Sequence, residues 1–337
     1  YDISENKEDI VYPIQFTDYK KKLAETKANI SKFNQLYSIG TGGDFDYADS
    51  QILFNKSIDL VKILTDKYNI NTNVRKNFSN TKLNSVVKLS KSKVGNGNRP
   101  FIIAEAGLNH NGDLNIAKKL IDNAVLCKCD AIKFQTFNTK NLILPNAPKS
   151  KYHIETTGGD KKQRWFDLLK TQELSYLMHK KIIEYCKKKK IIFLSTPYDK
   201  ESVDMLEKFK VKAYKVASTD SNNIPLISYI AKKRKPMFIS TAMTNLGEIR
   251  DLVNCVKKYI PNKFVLMQCT GNYPSVNSDS NLKVMLTYKK LFNCLYGYSD
   301  HTLDQINPIA ATSLGASVYE KHFTLNKKMY GPDHRMS

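Results

Sequence analysis

From Pro100 to its end the chain alternates short apolar runs with longer amphipathic stretches, and this alternation constrains the fold more than any other feature. The short runs are rich in β-branched and aromatic residues and are almost continuously apolar, which is typical of strands buried in a parallel sheet. Eight such strands are predicted, over residues 101–106, 131–137, 191–196, 213–218, 237–241, 264–270, 295–299 and 317–323.

The stretches between these strands carry apolar residues at helical spacing and predict crossover helices. They cover residues 113–126, 171–189, 200–209, 224–233, 246–259, 282–292 and 305–314. Strands joined by helices form an α/β fold, and eight parallel strands favour closure into a (β/α)8 TIM barrel of about 250 residues. The competing fold is an open doubly wound sheet, but no G-x-G-x-x-G motif follows the first strand. The barrel is therefore predicted.

The first 98 residues read differently and are interpreted as an N-terminal extension, largely helical or irregular, to which the sequence assigns no function. Residues 50–68 have the spacing of one amphipathic helix. The glycine-rich residues 39–44 lack a preceding strand and a following Lys-Ser/Thr pair, so they predict a turn rather than a phosphate loop. Residues 69–98 are polar and predict a linker, so the predicted domains are 1–98 and 99–337.

The net charge of +21, from 53 Lys and Arg against 32 Asp and Glu, raises the question of a nucleic-acid partner. The excess is mostly lysine spread along the whole chain, without the interleaved aromatic residues of a stacking groove, so an anionic small molecule is preferred. No apolar run reaches the roughly 20 residues of a membrane span, and the first residues show no signal peptide. The six cysteines form no C-x-x-C pair and predict reduced thiols, so we expect a cytoplasmic protein without a membrane partner.

Reactive side chains cluster where a barrel places its active site, at the carboxyl ends of the strands. Lys133 and Lys215 lie in the second and fourth predicted strands and are expected to point inward. An unpaired ammonium group in an apolar core is costly, so each needs a carboxylate or a bound anion. Hydroxyl residues at strand ends complete a ring suited to phosphate plus carboxylate: Thr196, Ser218, Ser240 and Ser299. The alternative is that one lysine points outward and the hydroxyls only cap strand ends.

A second cluster involves the last two predicted strands. Glu320 and His322 are two residues apart and should share one face of the strand, with Lys321 on the other. His301 ends the preceding strand, which is the neighbour in a closed barrel. Two imidazoles beside a carboxylate suit a catalytic divalent metal rather than a closed structural zinc site. The alternative is that each histidine is a hydrogen-bonded core residue.

These segments resemble those of the sialic acid synthase (N-acetylneuraminate synthase) family. The resemblance covers the chain from Arg99 onward, in the family's order, through IIAEAGLNHNGD, AIKFQTF, FLSTPYD, AYKVAS, FISTAM, QCTGNYP, GYSDHT, LGASVYEKHFTL and GPDHRMS. It implies a barrel transferase that condenses phosphoenolpyruvate with N-acetylmannosamine, or a related N-acyl amino-hexose, to a nine-carbon 2-keto-3-deoxy sugar acid and releases phosphate.

The resemblance also implies roles for individual residues. His301 and His322 would bind the metal, Mn²⁺ or Mg²⁺, while Glu105 and Glu320 would be catalytic and handle protons near the reacting centre. Phosphoenolpyruvate would be held by Lys133, Thr196, Lys215, Ser218, Ser240 and Ser299, and the amino-sugar by Gln135, Tyr273 and Asp333. Family members usually continue into a small antifreeze-like domain beyond the point where this sequence stops, and a homodimer is implied where that domain is present.

Three other functions stay open at this point. A close variant would use a 6-deoxy diamino-sugar and make a legionaminic- or pseudaminic-type acid. A related condensing barrel would make other 3-deoxy-ulosonic acids, although its motifs fit less well. A non-catalytic, polyanion-binding protein on a decayed barrel would account for the charge of +21, but the intact lysine and histidine pairs argue against decay.

Overall fold

The computed structural model describes residues 86–95 and 97–337 of the chain. These residues belong to a compact unit that runs over Leu83–Ser337. The helix predicted for residues 50–68, the glycine-rich turn at 39–44 and the first part of the predicted linker lie outside the described residues.

A β-hairpin precedes the barrel. Strand β1 (Val86–Leu89) pairs antiparallel with strand β2 (Ser92–Gly95). Val87, Leu89 and Val94 are buried in one cluster with the residues that begin four barrel strands, Phe101, Ala131, Leu295 and Val318. The hairpin therefore covers the amino-terminal end of the barrel, away from the carboxyl ends of the strands. The linker prediction was wrong here, because apolar residues alternating with lysines have the period of a half-buried strand.

The predicted eight parallel strands are present, and the (β/α)8 barrel is confirmed. In chain order they are β3 (Phe101–Gly107), β4 (Ala131–Thr136), β5 (Ile192–Pro197), β6 (Tyr214–Val216), β7 (Met237–Ser240), β8 (Phe264–Cys269), β9 (Leu295–Asp300) and β10 (Val318–His322). Paired neighbours follow the order β5-β4-β3-β10-β9-β8-β7-β6. The last strand thus pairs with the first, and β5 lies beside β6.

Ten α-helices accompany the strands within the described residues. They are α1 (Leu114–Leu126), α2 (Thr139–Leu142), α3 (Lys151–Thr156), α4 (Trp165–Gln172), α5 (Tyr176–Lys189), α6 (Lys200–Lys208), α7 (Ile224–Ala231), α8 (Leu246–Lys257), α9 (Val284–Phe292) and α10 (Ile306–Ser313). The apolar faces of α1 and of α5 to α10 pack on the outer face of the sheet and form the main core. None of the helices in this part of the chain is long and apolar enough to cross a membrane.

One predicted helix begins later than its apolar pattern suggested. The pattern predicted a helix over residues 171–189, but α5 begins at Tyr176, where the Ser175 hydroxyl caps it by accepting from the Met178 N–H. A side-chain cap of this kind satisfies an amide that the first turn leaves unpaired. The connection from β4 to α5 therefore holds three short helices, α2, α3 and α4, and these reach the site described next.

Candidate active site

A cavity of about 650 Å³ opens at the carboxyl ends of the barrel strands. Every candidate side chain named from the sequence lines this cavity: Glu105, Lys133, Gln135, Thr196, Lys215, Ser218, Tyr273, Ser240, Ser299, His301, Glu320, His322 and Asp333. The period of two along a strand, together with closure of the barrel, brings these residues together from the eight strands, the loops that follow them and the segment after the last strand.

Both lysines point into the cavity and meet carboxylates there. Lys133 Nζ lies 2.8 Å from Glu105 Oε2, and Glu320 lies between the two lysines, with Oε2 3.8 Å from Lys133 Nζ and Oε1 3.6 Å from Lys215 Nζ. All four side chains are buried. The alternative of an outward-pointing lysine is therefore wrong, and Glu105 and Glu320 provide the counter-charge that two buried ammonium groups require.

The hydroxyl groups of the ring are tied to this charged cluster. Lys133 Nζ donates to Thr196 Oγ1 at 3.2 Å, and Lys215 Nζ donates to Ser240 Oγ at 2.7 Å. Ser299 Oγ donates to Glu320 Oε1 at 2.9 Å. Ser218 is held differently, because its Oγ accepts from the Ala242 N–H at 3.0 Å. The result is a floor of cations and hydroxyls whose positions are set by hydrogen bonds.

The two carboxyl groups of the floor differ in their acidity. Burial raises the pKa of Glu105 to about 7, although the nearby Lys133 opposes the shift. Glu320 is equally buried, but Lys133 and Lys215 together outweigh burial and hold its pKa below the ordinary value. Near neutral pH Glu105 is divided between its protonated form and the ionised form that pairs with Lys133, while Glu320 is ionised. Two neighbouring carboxyl groups whose pKa values differ in this way are suited to acid and base roles.

The pKa values of the two lysines also shift in opposite directions. Burial acts to lower the pKa of Lys133, but Glu105 and Glu320 outweigh it and raise that pKa above its ordinary value. Burial lowers the pKa of Lys215; Glu320 opposes the shift, and the charge of Lys133 adds to it. A charge is therefore less well compensated at Lys215 than at Lys133, which is the arrangement expected where an anion binds.

His301 and His322 come from the ends of the adjacent strands β9 and β10, with ring centroids 5.9 Å apart and an interplanar angle of 61°. His301 Nδ1 lies 2.6 Å from the Thr270 carbonyl oxygen and so donates to it, which leaves Nε2 as the nitrogen with a free lone pair. His322 Nδ1 is buried without a hydrogen-bond partner. Burial lowers the pKa of His301 to about 4 and that of His322 well below its ordinary value. Two neutral imidazoles that line one cavity fit a divalent cation.

Further protein ligands for such a cation are not evident. Within residues 86–95 and 97–337 no group of three or more His, Cys, Asp or Glu side chains has the arrangement of a metal site. The Cys269 thiol, which sequence reasoning did not assign to the site, lies 3.5 Å from His301 Nε2. The Tyr273 ring stacks on His301 with centroids 3.8 Å apart and meets His322 edge-on at 5.6 Å. A cation held by the two imidazoles would need its other positions filled by water or substrate.

Asp333 reaches the cavity from the segment after the last strand. Its Oδ2 accepts from the Leu108 N–H at 3.1 Å, and burial raises its pKa to about 6. The approach depends on Gly107, which has φ 50°, because a Cβ at that position would lie 2.7 Å from Asp333 Oδ2. Gln135 lies nearby in the floor, with Nε2 3.5 Å from Glu105 Oε1. Asp333 and Gln135 thus add further polar groups to the lining of the cavity.

One wall of the cavity is apolar, and sequence reasoning missed it. Leu142, Ile143, Trp165 and Leu169 line it from the connection between β4 and α5, and Tyr198 lines it from the loop after β5. The length of that connection, residues 137–175, was the available signal, because barrel connections usually have few residues and longer ones are often functional.

Comparison with known proteins agrees with this geometry. The model of the NeuB family matches residues 120–337. The chain belongs to the NeuB family. It is 45% identical to the N,N'-diacetyllegionaminic acid synthase of Campylobacter jejuni over 241 residues, which cover 71% of this chain and 72% of that protein. It is 37% identical to the N-acetylneuraminate-9-phosphate synthase of Homo sapiens over 251 residues, 72% of this chain and 67% of that one.

Similarity to a solved structure supports the same family assignment. The sialic acid synthetase of Leptospira borgpetersenii superposes with a TM-score of 0.66 at 34% identity, covering 75% of this chain and 82% of that one. The resemblance to sialic acid synthases is therefore confirmed, and the chain is an enzyme of the sialic acid synthase type.

Proposed function

We propose that this NeuB-family chain condenses phosphoenolpyruvate with an N-acyl amino-hexose to a nine-carbon 2-keto-3-deoxy sugar acid and releases phosphate. The observation that carries the proposal is the buried floor of Lys133, Lys215 and Glu320 with its ring of hydroxyl groups. Phosphoenolpyruvate carries one carboxylate and one phosphate, and two ammonium groups with several hydroxyl donors match both anions. Preorganised donors of this kind stabilise charge that develops during reaction.

The chemistry begins with formation of a carbon–carbon bond. The methylene carbon of phosphoenolpyruvate attacks the aldehyde carbon of the open-chain sugar, and the aldehyde oxygen takes a proton. Glu105, whose pKa is about 7, is the group placed to supply that proton at neutral pH. Gln135, Tyr273 and Asp333 hold and orient the sugar in this scheme.

The second stage is addition of water to the cationic carbon that the first bond leaves behind. Glu320 remains ionised between the two lysines and accepts a proton from the attacking water. The new hydroxyl of the tetrahedral product then returns its proton to Glu105 and becomes the 2-keto group as the carbon–oxygen bond to phosphate breaks. Phosphate leaves with its charge balanced by Lys133 and Lys215 and takes from Glu320 the proton that came from water. Carbon, oxygen and proton counts close without an external oxidant or reductant.

A divalent cation, Mn²⁺ or Mg²⁺, belongs to this proposal, with His301 and His322 as its protein ligands. When bound, it would act as a Lewis acid that polarises the aldehyde oxygen. The neutral imidazoles, with His322 Nδ1 buried without a hydrogen-bond partner, support this part of the proposal, and Tyr273 keeps the His301 ring in place by stacking on it.

A second substrate is favoured by one observation. The 45% identical relative is named for N,N'-diacetyllegionaminic acid, and the apolar wall adds surface that a sugar bearing only one acyl group would leave largely uncovered. A 6-deoxy diamino-hexose is therefore the second candidate beside N-acetylmannosamine.

The test is phosphate release from phosphoenolpyruvate with Mn²⁺ and either sugar. Release that requires both the sugar and the cation, and that disappears with chelator and in His301→Ala, is the expected result. Release without any sugar would overturn the role of the sugar as the second substrate. Undiminished turnover in His301→Ala would overturn the role of His301 as a metal ligand. No release with either sugar, from a folded protein that binds phosphoenolpyruvate, would overturn the condensation.

A further inference from the structure

In the proposed function the charged floor of the cavity binds phosphoenolpyruvate, and no group of either substrate is placed against the apolar wall. The wall consists of Leu142, Ile143, Trp165, Leu169 and Tyr198, and it lines the same cavity as the charged floor. Leu169 is buried, while the other four keep part of their surface exposed. Phosphoenolpyruvate is too small and too charged to cover such a surface. A sugar hydroxyl placed against it would lose its hydrogen bonds to water without gaining new ones, which is costly.

The wall is built as a rigid unit rather than as a loose loop. Leu108, Phe137 and Leu169 form a buried cluster, and Leu142, Ile143, Trp165 and Tyr198 pack against it. The Trp165 N–H donates to the Ala147 carbonyl at 3.1 Å. Glu173 accepts from the Thr139 N–H at 3.0 Å and from the Thr139 hydroxyl at 2.7 Å, so α2 is tied to the end of α4. A preformed surface of this kind needs little reordering when a ligand binds.

The wall is also uncharged. The His153 ring stacks on Trp165 with centroids 4.0 Å apart and an interplanar angle of 3°. Burial and the charge of Lys149 lower the pKa of His153, so its imidazole is neutral at neutral pH. The stacked pair therefore presents flat aromatic surface to the cavity instead of a cation.

We propose that this wall is the subsite for the methyl-bearing substituents of the amino-sugar, its acyl methyl groups and a C6 methyl, and that Trp165 determines specificity there. The inference rests on the proposed function and narrows its substrate to a 6-deoxy hexose with two acylamino groups. Such a sugar carries three methyl groups, whereas N-acetylmannosamine carries one. Because a hydrophobic pocket discriminates by roughly 10- to 200-fold per missing methylene group, the difference is measurable.

The kinetic test compares 2,4-diacetamido-2,4,6-trideoxymannose with N-acetylmannosamine in wild type, Trp165→Ala and Trp165→Phe. Wild type should prefer the first sugar at least tenfold in kcat/KM. In Trp165→Ala the preference should fall below threefold through a higher sugar KM, with the phosphoenolpyruvate KM changed less than twofold. Trp165→Phe keeps an aromatic face and should retain most of the preference. The matched control is Leu144→Ala, since Leu144 belongs to the same connection, is 72% exposed and does not line the cavity.

A binding test separates this inference from the proposed function. Trp165 is the single tryptophan of the chain, so its fluorescence reports on the wall without any turnover. A saturable change on adding the diacetamido sugar supports the subsite even if no phosphate is released, in which case only the condensation fails. Two results together would overturn the subsite while the condensation stands. Wild type would turn over without a fluorescence response to the sugar, and Trp165→Ala would keep the sugar preference of wild type. Absence of both signals would overturn both.

Discussion

Asp300 and Lys321 join the two strands that carry the predicted metal ligands, because the Lys321 ammonium donates to Asp300 Oδ2 at 3.1 Å. Asp300 Oδ1 accepts from the N–H and the hydroxyl of Thr302, each at 2.8 Å, and Lys321 also donates to the Thr302 carbonyl. His301 lies between Asp300 and Thr302, and His322 directly follows Lys321. This network on the outer face of the barrel therefore holds both imidazoles in position.

Asp300→Asn should weaken this link and displace the histidines. The substitution removes the carboxylate that pairs with Lys321, and hydrogen bonds to charged groups contribute about 1.5–3 kcal/mol. We expect the free energy of unfolding in urea to fall by about 2 kcal/mol. We also expect kcat to fall at least tenfold while the phosphoenolpyruvate KM stays within threefold. Asp300→Asn combined with Lys321→Met should lose less stability than the sum of the single changes. A stability loss with an unchanged kcat would show that the link only supports the fold.

Lys215→Met should reduce activity while it leaves the stability of the fold nearly unchanged. Lys215 is buried, and burial lowers its pKa, so its charge is poorly accommodated before an anion binds. Methionine has a similar length and removes that charge along with the donor to Ser240. We expect kcat/KM for phosphoenolpyruvate to fall by at least about 100-fold, as for a lost contact to developing charge. The thermal midpoint should stay within a few degrees of wild type. Lys212→Met, at an exposed position three residues earlier, is the control and should behave as wild type.

Glu320→Gln tests the assignment of the base. The amide keeps the shape of the side chain and can still accept from Ser299. Loss of a positioned general base typically costs 10²- to 10⁴-fold, so we expect kcat to fall in that range. The phosphoenolpyruvate KM should not rise, because the substitution removes a negative charge from beside the bound anion. Rapid-quench measurement of a single turnover locates the defect in chemistry. Full turnover in this variant would remove Glu320 from the mechanism.

The lowered pKa of the buried His110 should make the stability of the protein depend on pH. Its Nδ1 accepts from the Gly112 N–H at 3.0 Å, and burial, with smaller contributions from His179 and His334, lowers its pKa to about 3. The unfolded chain binds a proton near pH 6.5, whereas the folded protein does not until about pH 3. Stability from this residue is therefore complete above pH 6.5 and is lost as the pH falls through that window, by about 1.5 kcal/mol between pH 6.5 and 5.

The measurement is urea unfolding at several pH values in wild type and in His110→Gln. The variant is expected to be less stable at pH 7 but to lose less stability on acidification than wild type does. Equal slopes for the two proteins would show that another group is responsible for the acid sensitivity.

The sequence alone was sufficient for the barrel and for the expectation that charged and hydroxyl-bearing side chains meet at the carboxyl ends of its strands. Strands that are buried on both faces need continuous apolar residues, so the few polar residues within them, such as Lys133, Lys215 and Glu320, stood out. The period of two then predicted that Glu320 and His322 face inward and Lys321 outward, and the structure agrees. Local geometry along one strand is enough for that inference.

Only the tertiary structure decided how these side chains pair. That Glu320 lies between both lysines, and that Asp300 meets Lys321, depends on the register of neighbouring strands, which no single segment encodes. The hairpin of residues 86–95 and the wall around Trp165 were not found because short polar or mixed segments acquire their structure by packing against the finished barrel. Burial of a few apolar residues against distant strands stabilises them, and the sequence of the segment does not show which surface will be there.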